Sequence, residues 1–296
     1  MADEQADPLA WLRAPLLYHA PGMDDVTPRS VAYRRTPEGD LPMDIYPPLD
    51  LPPGERRPAV MFIHGGPIPP ELPPATEWGV YRGYGALAAA SGWVGVTFKH
   101  RFHSYRQDSD YDQLEQAESD IAAATAYVRE HADELSVDAD QICLWAFSGG
   151  GSFLARPLRE RPTYVRCLIA YYAVMDLRPM PSGEERTGDG AAMTRLARFS
   201  PAATVEEGGA TTPVLVARAG RDHPLLNAGI DRFIQAALAA NMPLDVLNHP
   251  SGHHGFDARD DDARTREIIR HTLDFARALR AVDAWSPRPT QLGGGA

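Results

Sequence analysis

Lysine is almost missing from this chain: Lys99 is the only one among 29 basic residues, which face 40 acidic ones. The net charge of −11 argues against a nucleic-acid or anionic-membrane partner, since both need basic patches to neutralise phosphates. No apolar run approaches the ~20 residues a membrane-spanning helix needs. The acidic start, Met1-Ala-Asp-Glu-Gln, lacks the basic and apolar regions of a secretory leader, so the cytoplasm is the expected location. Cysteine is scarce too. Cys143 and Cys167 sit in apolar runs that read as strands, without Cys-x-x-Cys spacing, so neither a zinc site nor a structural disulfide is expected. There is no internal repeat and no disorder-like tract.

What is present is an ordinary globular composition, 44% hydrophobic and 23% charged over 296 residues, within what one sheet can organise. Residues 1–27 read as an N-terminal extension, 28–285 as one domain, and 286–296, ending Gly-Gly-Gly-Ala, as a flexible tail. Val31–Arg35 and Leu41–Tyr46 form a candidate hairpin. Ala59–Ile63 is a continuous apolar run of the kind that fills a strand buried on both faces. Further strands are expected at Val94–Phe98, Gln141–Ala146, Val165–Tyr171, Val214–Ala217 and Leu244–Leu247. Helices are expected at Tyr81–Ala90, Leu114–Leu135, from Gly149, at Leu226–Ala240 and at Thr265–Val282, the last burying Ile268, Ile269, Thr272, Phe275 and Leu279. Strands alternating with helices predict the α/β class: a mostly parallel central sheet of about eight strands with helices on both faces.

The segment richest in chemistry is Cys143-Leu-Trp-Ala-Phe-Ser-Gly-Gly-Gly151. An apolar strand runs into a serine flanked by small residues, and a helix follows. This is a nucleophile elbow, a sharp turn that exposes the Ser148 hydroxyl above the sheet. Ala146 and Gly150 fill the two positions that must be small because the chain folds back there. Alone, a Ser-Gly-Gly-Gly string reads equally well as a glycine-rich helix start. A second signal changes that: His64-Gly-Gly-Pro67 ends the strand Ala59–Ile63. Acyl transfer passes through a tetrahedral oxyanion that needs pre-aimed N–H donors, and glycines let the backbone come close. Gly149, with Gly65 or Gly66, would supply them.

A serine hydroxyl is a weak nucleophile until a histidine accepts its proton. Around such elbows the partners follow in the order serine, acid, histidine. Asp222, in Ala219-Gly-Arg-Asp-His223, is the natural acid, and Asp176, after the preceding strand, is its rival. In Ser251-Gly-His-His-Gly-Phe256 two histidines compete. The Gly-Phe that follows selects His254 over His253 as the base. His100, Arg101 and His103 cluster after Val94–Phe98. Contacts to solvent or to Asp108 and Asp110 account for them better than metal ligation, and no metal or cofactor is assigned.

On His64-Gly-Gly, Ala146-Phe-Ser-Gly-Gly150, Ser200-Pro201, Gly220-Arg-Asp222 and His254-Gly-Phe256, the chain resembles the α/β-hydrolase superfamily. The branches it is most similar to are the esterase, dienelactone-hydrolase-like and acylaminoacyl-peptidase-like ones, over roughly residues 30–285. The resemblance implies the α/β-hydrolase fold and a serine hydrolase with Ser148 as nucleophile, His254 as base and Asp222 as acid. Dienelactone hydrolases proper carry cysteine at the elbow and haloalkane dehalogenases aspartate, so serine here points elsewhere. No room exists for the large propeller of prolyl-oligopeptidase relatives, and only two glycines follow His64, where hormone-sensitive-lipase-like esterases have three.

Pro67–Tyr84, Lys99–Tyr111, Met175–Ser200 and the N-terminal extension are positioned to shape a pocket, with Trp78, Tyr81, Tyr84, Phe102, Tyr105 and Met180 among them. The insertion 177–211 suits a short cap or lid. The expected reaction is hydrolysis of a small-molecule carboxylic ester with a small or medium acyl group, through an acyl-enzyme. Thioester hydrolysis, acyl transfer and cleavage of small amides would use the same residues. A non-hydrolytic binding or biosynthetic protein would be marked by a broken triad, which is not seen. Helix faces of such a sheet can pair, so a homo-oligomer is compatible with the sequence.

Overall fold

A computed structural model describes residues 13–105, 112–180, 190–208 and 211–281. Eight strands form one sheet: β1 (Arg29–Thr36), β2 (Gly39–Tyr46), β3 (Arg57–Ile63), β4 (Val94–Phe98), β5 (Val137–Phe147), β6 (Val165–Tyr171), β7 (Val214–Ala219) and β8 (Leu244–His249). Their order is β1-β2-β4-β3-β5-β6-β7-β8. β1 and β2 form the expected hairpin, and β2 joins β4 antiparallel. The other six run parallel. This is the α/β architecture expected from the sequence.

The continuous apolar runs have a simple cause. Side chains alternate faces along a strand, and here both faces are covered. Ile142, Leu144 and Ala146 of β5 join one buried cluster, whereas Cys143, Trp145 and Phe147 join the other. A strand with helices on both sides has no solvent face on which to place polar residues. β4 and β6 have the expected bounds, and the other strands extend beyond expectation by one to four residues at one or both ends. Two differences have a local cause. The helix expected over Leu114–Leu135 breaks at His131 into Gln113–Glu130 and Ala132–Leu135. The chain after Ser148 first winds as a 3-10 turn, Ser148–Leu154, and becomes an α-helix only at Ala155–Glu160. Three successive glycines, poor α-helix formers, occupy that first turn.

Three expectations are corrected. Cys143 and Cys167, expected to be unpaired, are joined in a disulfide. They are register partners on the adjacent strands β5 and β6, with Cα atoms 4.9 Å apart, within bridging range. The described part of the extension, residues 13–27, belongs to the core: Leu16 and Met23 are buried, and the Leu17 N–H donates to Asp257 O at 2.8 Å. His100 and Arg101, expected in a solvated loop, are buried as well. Asp108 and Asp110, like residues 1–12 and 282–296, lie outside the described residues.

Arg101 is held by Asp120 of the helix Gln113–Glu130. The fully buried Asp120 carboxylate accepts from Arg101 N at 3.0 Å, Arg101 Nε at 2.9 Å and Arg34 Nη1 at 2.7 Å. This network pins the loop that follows β4. Asp120→Ala would leave the buried Arg101 guanidinium with only the exposed Glu38, 3.3 Å from its Nη1, as counter-charge, so a loss of about 3 kcal/mol is expected in urea unfolding. A loss below about 1 kcal/mol, the range of an exposed ion pair, would contradict that role.

Candidate active site

Four strand ends meet at the carboxyl edge of the parallel sheet, where ligands of open α/β folds bind. β5 delivers Ser148. The serine stands at φ 50°, in the left-handed region, which costs a non-glycine residue about 1–2 kcal/mol. The strain is tolerated because the elbow is packed from below. A methyl group on Gly150 would sit 2.5 Å from His64 O, so only glycine lets β5 turn this closely against the end of β3.

The turns after β7 and β8 are stitched together by backbone bonds, Gly220 N–H to His249 O at 2.8 Å and Arg221 N–H to Gly252 O at 2.9 Å. This places Asp222 beside His254. His254 Nδ1 lies 2.7 Å from Asp222 Oδ2, and His254 Nε2 lies 2.8 Å from Ser148 Oγ. Asp222 also accepts from the His223 N–H at 2.6 Å, and its side chain is only 3% exposed. A carboxylate accepting from Nδ1–H fixes the tautomer, leaving Nε2 as acceptor for the serine proton. The Gly-Phe after His254 has a structural meaning. Gly255 turns at φ 74°, and Phe256 is fully buried against Tyr171 and Tyr172, anchoring the loop.

The rivals lie elsewhere. His253 Nδ1 is 2.8 Å from Asp260 Oδ1. Asp176 is buried in a cluster with Arg178 and Arg232, whose hydrogen bonds outweigh burial and hold its carboxyl below the usual range. Of the glycines singled out, Gly65 donates its N–H to Tyr81 Oη at 3.0 Å. Gly66 lines both clefts at the serine.

Several contacts around the site had no visible signal in the sequence. His64 and His100 stack at 3.6 Å between ring centroids, and burial pushes His64 down to about 4, and His100 well below its ordinary value. Both rings are therefore neutral near pH 7, apolar floor rather than charge. Asp257 is buried and accepts from Tyr84 Oη at 2.6 Å and Tyr172 Oη at 2.7 Å. Burial pushes its carboxyl above the usual range. The Tyr172 ring meets His254 edge-on at 4.9 Å, so this trio backs the histidine.

Two clefts open on Ser148. One of about 560 Å³ is walled by Val174, Leu177, Met180, Leu196, Leu225 and Leu226. The other, of about 740 Å³, is walled by Trp78, Tyr81, Phe147 and Tyr172, with Arg259 among its lining. Among the described residues, no group of histidine, cysteine, aspartate and glutamate side chains could hold a metal ion. No described helix is long and apolar enough to cross a membrane.

The family model described as BD-FAE matches residues 43–158. That span holds His64-Gly-Gly and the Ser148 elbow but ends before Asp222 and His254. Curated proteins provide no match. Among solved structures, the native form of the thermophilic esterase Est2 from the Planctomycetes species Thermogutta terrifontis is 20% identical. It superposes with a TM-score of 0.70 over 96% of this chain and 100% of that one. The butyrate-bound form is 22% identical, with a TM-score of 0.66 over 93% and 99% of the two chains. Esterase 2 of Thermogutta terrifontis phosphorylated by paraoxon is 20% identical, with a TM-score of 0.66 over 91% and 98%. The chain thus has the α/β-hydrolase fold expected from its motifs.

Proposed function

We propose that this protein is a serine hydrolase that cleaves carboxylic esters of small or medium acyl groups through an acyl-enzyme. The observation that carries the reading is the continuous relay from Asp222 through His254 to Ser148, at 2.7 and 2.8 Å. Ser148 Oγ attacks the ester carbonyl while its proton passes to His254 Nε2. Asp222 holds the imidazole and stabilises the imidazolium that forms. The carbonyl electrons move onto oxygen, where the N–H groups of Gly66 and Gly149 receive the charge. His254 returns the proton to the leaving alkoxide. Water then repeats the sequence on the acyl-enzyme and frees the acid.

The aliphatic walls of the smaller cleft suit a short alkyl chain. Butyrate- and propionate-bound forms of the Thermogutta esterase support acyl groups of that size. A series of p-nitrophenyl esters of rising chain length tests the reading. Turnover should be greatest for short to medium acyl groups and fall for long ones. No turnover of any member, under conditions where the protein is folded, would sink it.

A further inference from the structure

Tyr105 follows β4 by seven positions, in the loop pinned by Arg101 and Asp120. It lines the aliphatic cleft together with Ser148 and Gly66. Its hydroxyl is under-used: the acceptor it reaches, Gly66 O, is 3.5 Å away, at the outer limit of a hydrogen bond. It also sits where the oxyanion donors are. A methyl group on Gly149 would stand 2.7 Å from Tyr105 Oη and 2.2 Å from Gly66 O. The hydroxyl, Gly66 and Gly149 therefore crowd into one small volume beside the nucleophile.

The side chain is held from two directions. Its ring packs edge-on against the fully buried Phe102 at 5.0 Å, and Phe102 in turn fits under Gly66, where a methyl group would stand 2.6 Å from Phe102 Cδ1. Its carbonyl accepts from both terminal nitrogens of Arg195 at 3.2 Å. Arg195 belongs to the helix Gly190–Arg198, in the insertion after β6, and is ion-paired with Asp112. Two distant parts of the chain thus aim a poorly satisfied hydroxyl at the place where negative charge would develop.

We propose that Tyr105 is a catalytic residue, its hydroxyl giving the oxyanion a third hydrogen bond beside the N–H groups of Gly66 and Gly149. The proposal rests on the serine-hydrolase reading above. As the Ser148 Oγ–carbon bond forms, the carbonyl π pair moves to oxygen, and the serine proton goes to His254. Tyr105 keeps its own proton and is unchanged at the end of the cycle. Burial pushes the phenol above its ordinary value, so it acts as a neutral donor. A bond to an alkoxide is stronger than one to a neutral carbonyl, so the contribution belongs to kcat and not to KM.

Tyr105→Phe removes one oxygen and keeps the ring against Phe102. Its kcat and KM are measured with p-nitrophenyl butyrate, and the labelling of Ser148 by a fluorophosphonate is timed for variant and wild type. We expect kcat to fall about ten- to a hundredfold, KM to hold, and labelling to slow in parallel. An unchanged kcat would make Tyr105 a mere wall of the cleft and overturn the proposal. So would a raised KM at constant kcat, which marks a contact already made in the ground state. Ser148→Ala run alongside separates the two levels: if it stays active, or if the wild type neither turns over ester nor labels, the serine-hydrolase reading fails and takes this proposal with it. If Ser148→Ala is dead and Tyr105→Phe is not impaired, only the role of Tyr105 is lost.

Discussion

Ser148→Ala is expected to lower kcat for ester hydrolysis by on the order of 10⁴-fold or more, with the fold intact. The loss is that large because nothing else in the site can form the covalent intermediate. His254 Nε2, now without its 2.8 Å partner, could at best activate a water placed at random. The fold should survive for an equally local reason. His254 Nε2 is the partner of the Ser148 hydroxyl, and the backbone strain at φ 50° is no worse for alanine than for serine. A residual rate above the uncatalysed one is expected, since the N–H groups of Gly66 and Gly149, in the role proposed for them, would still polarise a bound carbonyl. Steady-state kinetics beside a thermal melt decide it. Wild-type kcat in this variant would remove the nucleophile and the mechanism with it.

His254→Ala and Asp222→Asn should each cost on the order of 10³- to 10⁴-fold in kcat. The two have different causes. Without the imidazole no group takes the serine proton. With asparagine at 222 the imidazole survives, but a side-chain amide presents donor and acceptor alike, and the tautomer with Nε2 free is no longer enforced. The informative comparison is with the neighbours that sequence alone leaves in competition. His253→Ala should keep a kcat close to wild type, because that ring is bound to Asp260, away from the serine. Asp176→Asn should also keep kcat while losing stability, because its contacts are to Arg178 and Arg232. Equal losses at His253 and His254, or at Asp176 and Asp222, would refute the relay as drawn.

The candidate site was legible where its signals are local in the chain. The elbow at Ser148 is a strand, a turn and three glycines within nine residues, and each position carries its own steric demand. His254-Gly-Phe256 is similar: a left-handed glycine and a buried phenylalanine are a short-range device for presenting a loop side chain. Choosing Asp222 over Asp176 was harder, since both follow strands. What separates them is lateral: the loop after β7 is bonded to the loop after β8 through Gly220 and Arg221, whereas Asp176 is captured by Arg178 and, from the neighbouring helix, Arg232.

Other features rest on contacts between residues far apart in the chain. His64 with His100, Asp257 with Tyr84 and Tyr172, Cys143 with Cys167, and Tyr105 with Gly149 are separated by between 24 and 173 positions. No periodicity links them. Tyr105 in particular reads as one more aromatic in a polar loop until Arg195 and Phe102 are seen to hold it.

By itself, then, the sequence determined the class of fold and supplied the residues on which the proposed chemistry rests. Apolar runs too continuous for a one-sided sheet require helices on both faces, and a serine in a glycine-rich elbow requires a histidine and an acid to be of use. The tertiary structure decided which histidine and which aspartate stand beside Ser148, and it alone paired the cysteines and brought Tyr105 to Gly149. The reason is the way the sheet is assembled. Its order, β1-β2-β4-β3-β5-β6-β7-β8, is set by crossovers that no local pattern encodes, and every contact across the active site follows from which strand ends lie side by side.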